Sequence, residues 1–287
     1  MFYILYSFCW IITLLPLWVL YLFSDYFYYI LYYIIGYRKN VVKVNLAKSF
    51  PDKTLTERRK IEHDFYRFFC DLLFETLKEI HMSKAEMKRR MTFGNVESVL
   101  EHYANGKSVL LMTAHYGNWE WSSSFSLWLP NDKPLYGIYK QLTNNNFDSL
   151  MRSLRMKFGG KNAEKHDLLR IMLRLRSKGE LAMFGMISDQ TPNRKTIHYW
   201  SQFLNQETPT ITGTEQLARK FDYPVYYGQI TRIKRGYYHC ELIPISLQPA
   251  LTIENEITEK FVRMLEQTIV AQPAYWLWTH RRWKYSK

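Results

Sequence analysis

His115 and Glu120 are the two side chains of this sequence whose types, spacing and setting suit proton-transfer chemistry. They lie in Thr113-Ala114-His115-Tyr116-Gly117-Asn118-Trp119-Glu120, directly after the apolar run Ser108-Val109-Leu110-Leu111-Met112. Such a run reads as a fully buried strand. Gly117 and Asn118 suit a tight turn and the start of a helix, which leaves His115 at the carboxyl end of the strand. In open α/β sheets that edge is where ligands bind. On one continuous helix the two side chains would point about 140° apart, from 3.6 residues per turn. Across a strand–turn–helix corner they can converge, and a converging pair is a base with its orienter. The imidazole takes a proton from a hydroxyl; the carboxylate fixes the tautomer and stabilises the imidazolium. The chain has no G-x-S-x-G serine elbow, so the hydroxyl to be activated is sought on a substrate. The bland reading stands beside this one: a strand-end histidine bonded within the fold and a solvated helix glutamate.

The elements around this corner set its position. Thr54-x-x-Glu57 reads as a capping box. Behind it Ile61, Phe65, Phe68, Phe69, Leu72, Leu73, Leu77 and Ile80 recur at steps of three and four, the apolar stripe of one amphipathic helix. Glu62, Asp64, Arg67, Asp71, Glu75 and Lys78 fall largely between those positions and are expected to face solvent. After the corner, Pro134 to Tyr139 reads as a second buried strand ending at Lys140, and Leu181 to Ile187 as a third, delivering Ser188-Asp189-Gln190. Between them a helix capped by Asn144 to Asn146 carries Arg152 and Arg155 and stops at Gly159-Gly160. A second basic helix, His166 to Lys178, carries Arg170, Arg174 and Arg176. Pro192 to Pro209 reads as polar and irregular. Pro224 to Ile233 and Tyr237 to Ile245 read as a hairpin, and about Glu254 to Ala271 as a last helix. Strands alternating with helices imply an α/β fold with a mostly parallel central sheet flanked by helices.

The 39 Lys+Arg against 26 Asp+Glu give a formal charge of +13, which points to anionic partners. Aromatics reach 17%, and many lie near the two chain ends, which favours a membrane interface. Phe2 to Phe23 is apolar nearly throughout and long enough for the roughly 20 residues of a spanning helix, with Pro16 bending it. Tyr26 to Ile35 is too short to span alone and suits the interface or a re-entrant partner. A cleaved signal peptide fits less well, for want of a basic start and a small-x-small site. A buried helix of the globular domain is the alternative. Arg38, Lys39, Lys43 and Lys48 favour the cytoplasmic side. The division expected is a membrane-attachment segment, 1–37, and a catalytic domain, 38–287. Cys9, Cys70 and Cys240 form no metal-ligand pattern and no disulfide framework. Aromatics interleaved with basic residues from Trp276 to Trp283 resemble a single-stranded nucleic-acid surface, but beside an apolar N-terminus an anionic lipid surface is the better reading.

With these residues in view the chain resembles the bacterial lipid A late acyltransferases, the lauroyl/myristoyl acyltransferase family. The matching pieces come in the family's order: the apolar N-terminus; Asn45-Leu46 with Ser49-Phe50-Pro51; His115-x4-Glu120; Arg155 ahead of Gly159; Asp189-Gln190-x-Pro192; Phe203-Leu204-Asn205; Thr212-Gly213; and Trp278-x-His280-Arg281-Arg282-Trp283. Phe203-Leu204-Asn205 stands where many relatives have Phe-Phe-Gly. The resemblance implies a glycerolipid-acyltransferase-like fold and an inner-membrane enzyme with its catalytic domain on the cytoplasmic face. It implies transfer of a fatty acyl group from acyl carrier protein to a hydroxyl of a lipid acceptor, with His115 as base, Glu120 as orienter, no metal and no cofactor. Nucleic acid is not among the partners implied. Backbone N–H groups near Gly117-Asn118 are candidate oxyanion donors. Lys140 has three open roles: oxyanion donor, phosphate ligand or solvated strand-end lysine. Arg152 and Arg155 suit phosphate or the acidic carrier, or a charge pair within the fold. Asp189 and Gln190 are expected to support the site structurally. A lipid A precursor, a phosphorylated disaccharide with hydroxylated acyl chains, is the favoured acceptor. A lysophospholipid or an amino-acid lipid is the runner-up, and a membrane-anchored basic scaffold is the non-enzymatic rival.

Overall fold

The computed structural model describes residues 2–287, with side chains from Tyr6 onward; Met1, at the head of the expected attachment segment, lies outside the described residues. The helices are α1 (Phe2–Ile12), α2 (Leu17–Tyr29), α3 (Lys39–Ser49), α4 (Leu55–Lys78), α5 (Lys84–Arg90), α6 (Val96–Ala104), α7 (Asn145–Met156), α8 (Leu168–Ser177), α9 (Gly213–Phe221) and α10 (Glu256–Ala271). The strands are β1 (Met91–Gly94), β2 (Val109–Thr113), β3 (Leu135–Tyr139), β4 (Lys161–Glu164), β5 (Met183–Ile187), β6 (Tyr199–Phe203), β7 (Gln206–Thr210), β8 (Val225–Lys234) and β9 (Tyr237–Ser246). They fall into two compact units. One comprises Met1–Met82, Gln190–Thr210 and Leu265–Lys287; the other comprises Ser83–Asp189 and Ile211–Met264.

The second unit holds a seven-stranded sheet of order β1-β9-β8-β2-β5-β3-β4. Its neighbours pair in parallel except the β8–β9 hairpin, so the sheet is the mostly parallel one that alternating strands and helices imply. β2 lies between β8 and β5, and all five of its residues are buried, which is why its sequence shows no alternation. β1 and β4 went unread for a physical reason. Each is four residues long, Met-Thr-Phe-Gly and Lys-Asn-Ala-Glu, too short to carry a pattern, and the second is polar as well.

In the first unit α2 lies along α4 and is joined to it by buried and part-buried polar pairs. The Tyr21 hydroxyl donates to Glu75 at 2.8 Å, Ser24 to Asp71 at 2.8 Å, and Tyr32 to Glu62 at 2.9 Å; the Tyr28 hydroxyl lies 2.7 Å from His63 Nδ1. Lys78 Nζ donates to the carbonyls of Thr13 and Leu15, both at 2.8 Å, at the break between α1 and α2. The expectation that Glu62, Asp71, Glu75 and Lys78 face solvent is therefore corrected: all four are buried, Glu75 completely. Spacing alone read them as the outer face, because the hydroxyls that donate to the three carboxylates, and the carbonyls that accept from Lys78, belong to a distant stretch of sequence. The apolar N-terminus also divides differently. The expected helix from Phe2 to Phe23 breaks before Pro16, and among the described residues the stretch long and apolar enough to cross a membrane is Leu17–Ile35, 19 residues including a π-helical end.

The carboxyl terminus packs inward in the same unit. Trp276, Trp278 and Arg282 are buried, against the reading of this stretch as a surface for lipid or nucleic acid. Asn45 Nδ2 donates to the carbonyls of Trp278 and His280 at 2.9 and 3.0 Å, and Trp283 Nε1 to Thr208 Oγ1 at 2.7 Å. The supposedly irregular stretch before Pro209 is a two-stranded hairpin, β6–β7, in which Phe203 pairs with Gln206. Leu204 and Asn205 form its two-residue turn at φ 50° and 61°, the conformation of a type I′ hairpin loop. Leu204 is an unfavoured residue there, and its backbone N–H is held by Glu266 at 2.5 Å.

Candidate active site

Parallel pairing creates the site. β2 and β5 run side by side with Thr113 opposite Ile187, and Ser188 N donates to Thr113 O at 3.0 Å just beyond the strand ends. Two residues past each strand's end lie His115 and Asp189, so equal offsets from one register bring them together. The Asp189 carboxylate takes both groups His115 can offer it: the backbone N–H at 3.1 Å and the ring Nδ1 at 2.7 Å. A carboxylate only accepts, so Nδ1 carries the hydrogen, and in the neutral ring Nε2 then carries the lone pair. Asp189 is almost buried, its side chain 3% exposed, whereas the imidazole is 18% exposed. The imidazole is reachable and its anchor is not. Trp119 meets the imidazole edge-on, ring centres 5.2 Å apart.

Glu120 lies elsewhere than the sequence reading put it. Its carboxylate faces Arg155 of α7 in a fork, Nε to Oε2 and Nη2 to Oε1 both at 2.8 Å, and takes Trp119 Nε1 at 3.2 Å. Among the described residues it makes no hydrogen bond to His115, whose ring Nδ1 is instead held by Asp189. For Arg155 the charge-pair alternative is the one observed. The corner continues into a 3-10 helix, Trp121–Trp128, rather than an α-helix. Asn118 is buried and starts it, its Oδ1 accepting from Trp121 N at 3.1 Å. Gly117 makes the turn at φ 58°, and a Cβ there would meet Ile230 Cγ2 at 2.6 Å, so backbone conformation and space both require glycine.

Lys140 is exposed just past β3 and has no hydrogen bond among the described residues. Arg152 is also exposed; its guanidinium lies 5.8 Å from the Tyr139 ring and its carbonyl accepts from Asn162 at 3.0 Å. Neither reaches the His115–Asp189 pair. The residue the sequence reading undervalued is Asp189, given there a supporting role. The signal was present in the strand offsets: Asp189 and His115 stand equally far beyond two strands that parallel topology can place side by side.

An imidazole whose Nδ1 is held by a carboxylate, at the carboxyl edge of a mostly parallel sheet, suits acyl transfer, and comparison with known sequences decides the family. The model of the bacterial lipid A biosynthesis acyltransferases matches residues 1–285. The chain belongs to that family. It is an acyltransferase, and its acceptor is a lipid. Among curated members it is 24% identical over 249 residues to the lipid A biosynthesis lauroyltransferase of Escherichia coli, covering 86% of this chain and 79% of that protein. It is 22% identical over 260 residues to the E. coli palmitoleoyltransferase, with coverage of 86% and 79%. A lipid A biosynthesis acyltransferase of Haemophilus influenzae is 21% identical over 241 residues, covering 82% and 72%.

Proposed function

We propose that this acyltransferase moves a fatty acyl chain from acyl carrier protein to a hydroxyl of a lipid A precursor, with His115 as general base. The observation that carries the mechanism is the His115–Asp189 pair at the edge between β2 and β5. Asp189 holds the Nδ1 hydrogen, so Nε2 takes the acceptor's O–H proton as its oxygen attacks the thioester carbonyl. The new C–O bond forms, the carbonyl carries the charge, and collapse breaks the C–S bond. The departing thiolate then recovers the proton from the imidazolium, which Asp189 has stabilised meanwhile. Backbone N–H groups at the Gly117–Asn118 turn are the donors we assign to the oxyanion. Glu120 contributes through Arg155: their paired fork ties α7 to the turn that presents His115.

The donor assignment is supported by the formal +13 charge and by Arg152, Arg170, Arg174 and Arg176, all exposed, since carrier proteins are acidic. The acceptor assignment is supported by the names of the relatives, which act in lipid A biosynthesis. We assign the enzyme to the inner membrane with its catalytic domain on the cytoplasmic face, on the apolar Leu17–Ile35 and the cations that follow it. On the domain division, 1–37 is the attachment segment and 38–287 carries the catalysis. Deleting the gene and weighing the cell's lipids tests the acceptor. Lipid A is expected to lose one secondary acyl chain while other lipids stay unchanged; intact lipid A with a missing aminolipid or phospholipid species would move the enzyme to that acceptor.

A further inference from the structure

The helix long enough to cross a membrane has two faces that differ in what they touch. Along α2 and its π-helical continuation, Leu17, Leu20, Ser24, Tyr28, Leu31 and Tyr32 are buried. Their steps of three and four residues define one face, and it is the face bonded to α4 through Tyr21, Ser24, Tyr28 and Tyr32. Trp18, Leu22, Tyr26, Tyr29 and Tyr33 recur at steps of four, four, three and four on the other face and are exposed, Trp18 to 67% and Tyr26 to 69%. Phe8 and Ile11 of α1 and Leu14 before Pro16 are exposed as well.

The pairing with α4 bears on how this helix can meet a bilayer. The bonds run from Tyr21–Glu75 at one end to Tyr32–Glu62 at the other, so α4 accompanies α2 antiparallel over most of its length. A crossing α2 would carry with it Glu62, His63, Asp64, Arg67, Asp71 and Glu75, including the exposed Arg67, into hydrocarbon. Leaving α4 behind would instead strip those buried carboxylates of their hydroxyl partners. Both are strongly unfavourable. An orientation parallel to the membrane surface incurs neither cost. It sinks the tryptophan- and tyrosine-rich face, residue types that favour the headgroup boundary, and keeps α4 in water. Arg38, Asn40 and Lys43, which follow directly, are exposed and remain in the aqueous layer, where the two cations face anionic headgroups.

We propose that α1, α2 and the π-helical turn form an in-plane docking surface for an anionic lipid bilayer, held on one leaflet without crossing it. This rests on the membrane assignment above. The test uses the full-length enzyme in bacterial cells, with Cys9→Ser, because Cys70 and Cys240 are buried. One version carries a polar, cysteine-containing tag ahead of Met1 and another carries Asn40→Cys. Spheroplasts are treated with a membrane-impermeant maleimide before and after lysis. Both sites are expected to react only after lysis, placing both ends on the cytoplasmic side. Reaction of the tag alone from outside overturns the in-plane arrangement and leaves the membrane assignment intact. Recovery of the wild-type enzyme in the soluble fraction overturns both. As a second measurement, Leu22→Lys with Tyr26→Lys is expected to weaken binding to phosphatidylglycerol–phosphatidylethanolamine vesicles about tenfold or more at unchanged thermal stability. Unchanged binding would overturn the docking surface.

Discussion

Asp189 anchors His115, and the energetics of the pair make separable demands on variants. Removing the imidazole removes the base: His115→Ala is expected to lower turnover by about 10²–10⁴-fold without unfolding the protein. Asp189→Asn keeps the shape but offers an amide that can donate toward Nδ1 and stabilise the wrong tautomer. A loss of similar order in kcat is expected, with little change in KM. Purified variants assayed with labelled acyl-carrier protein check both, and near-normal turnover in either would overturn the assignment. Glu120 and Arg155 call for a different measurement. Because they share one fork, Glu120→Ala and Arg155→Ala are expected to cost little more together than singly, with a coupling of roughly 1–3 kcal/mol in the activation free energy. An additive double variant would mean that Glu120 works independently of Arg155.

At the scale of elements, the α2–α4 pair shows how a helix can look amphipathic in sequence and yet bury its charges. Tyr32 donates to Glu62, which is 2% exposed, so Tyr32→Phe leaves a buried carboxylate short of one donor. A loss of about 1–3 kcal/mol in unfolding free energy is expected, read from thermal or denaturant unfolding in detergent. A loss within error would mean that solvent reaches Glu62. The same pairs mean that excising the first 36 residues strips α4 of its partners as well as removing an anchor. Point substitutions on the exposed face are the cleaner probe.

For the whole molecule, the excess of positive charge decides encounter more than chemistry. Attraction between exposed cations and an acidic donor is screened beyond about 8 Å at physiological ionic strength. The acyl-carrier-protein donor is therefore expected to outcompete acyl-coenzyme A at low salt, with an advantage that shrinks as salt rises and is carried in kcat/KM. Equal rates with both donors at low salt would remove the carrier-protein assignment.

Where local patterning carries the signal, the sequence alone suffices. The buried strand before His115, the strand before Asp189, the hairpin Val225 to Ser246 and the capping box at Thr54 are local features, and each forms near its expected bounds. The mostly parallel sheet follows from their alternation, and the ordered motifs already point to the family. What sequence left undetermined concerns partners far apart in the chain. Asp189 rather than Glu120 holds His115 because the β2–β5 register sets two strand ends level, and register is a property of the assembled sheet. Glu62, Asp71 and Glu75 are buried because hydroxyls some 30 to 54 positions earlier come to meet them. The terminal tryptophans are core for the same reason. A spacing rule sees one segment's periodicity; the free energy of burying a charged or aromatic side chain depends on what packs against it, and that is decided only when the segments assemble.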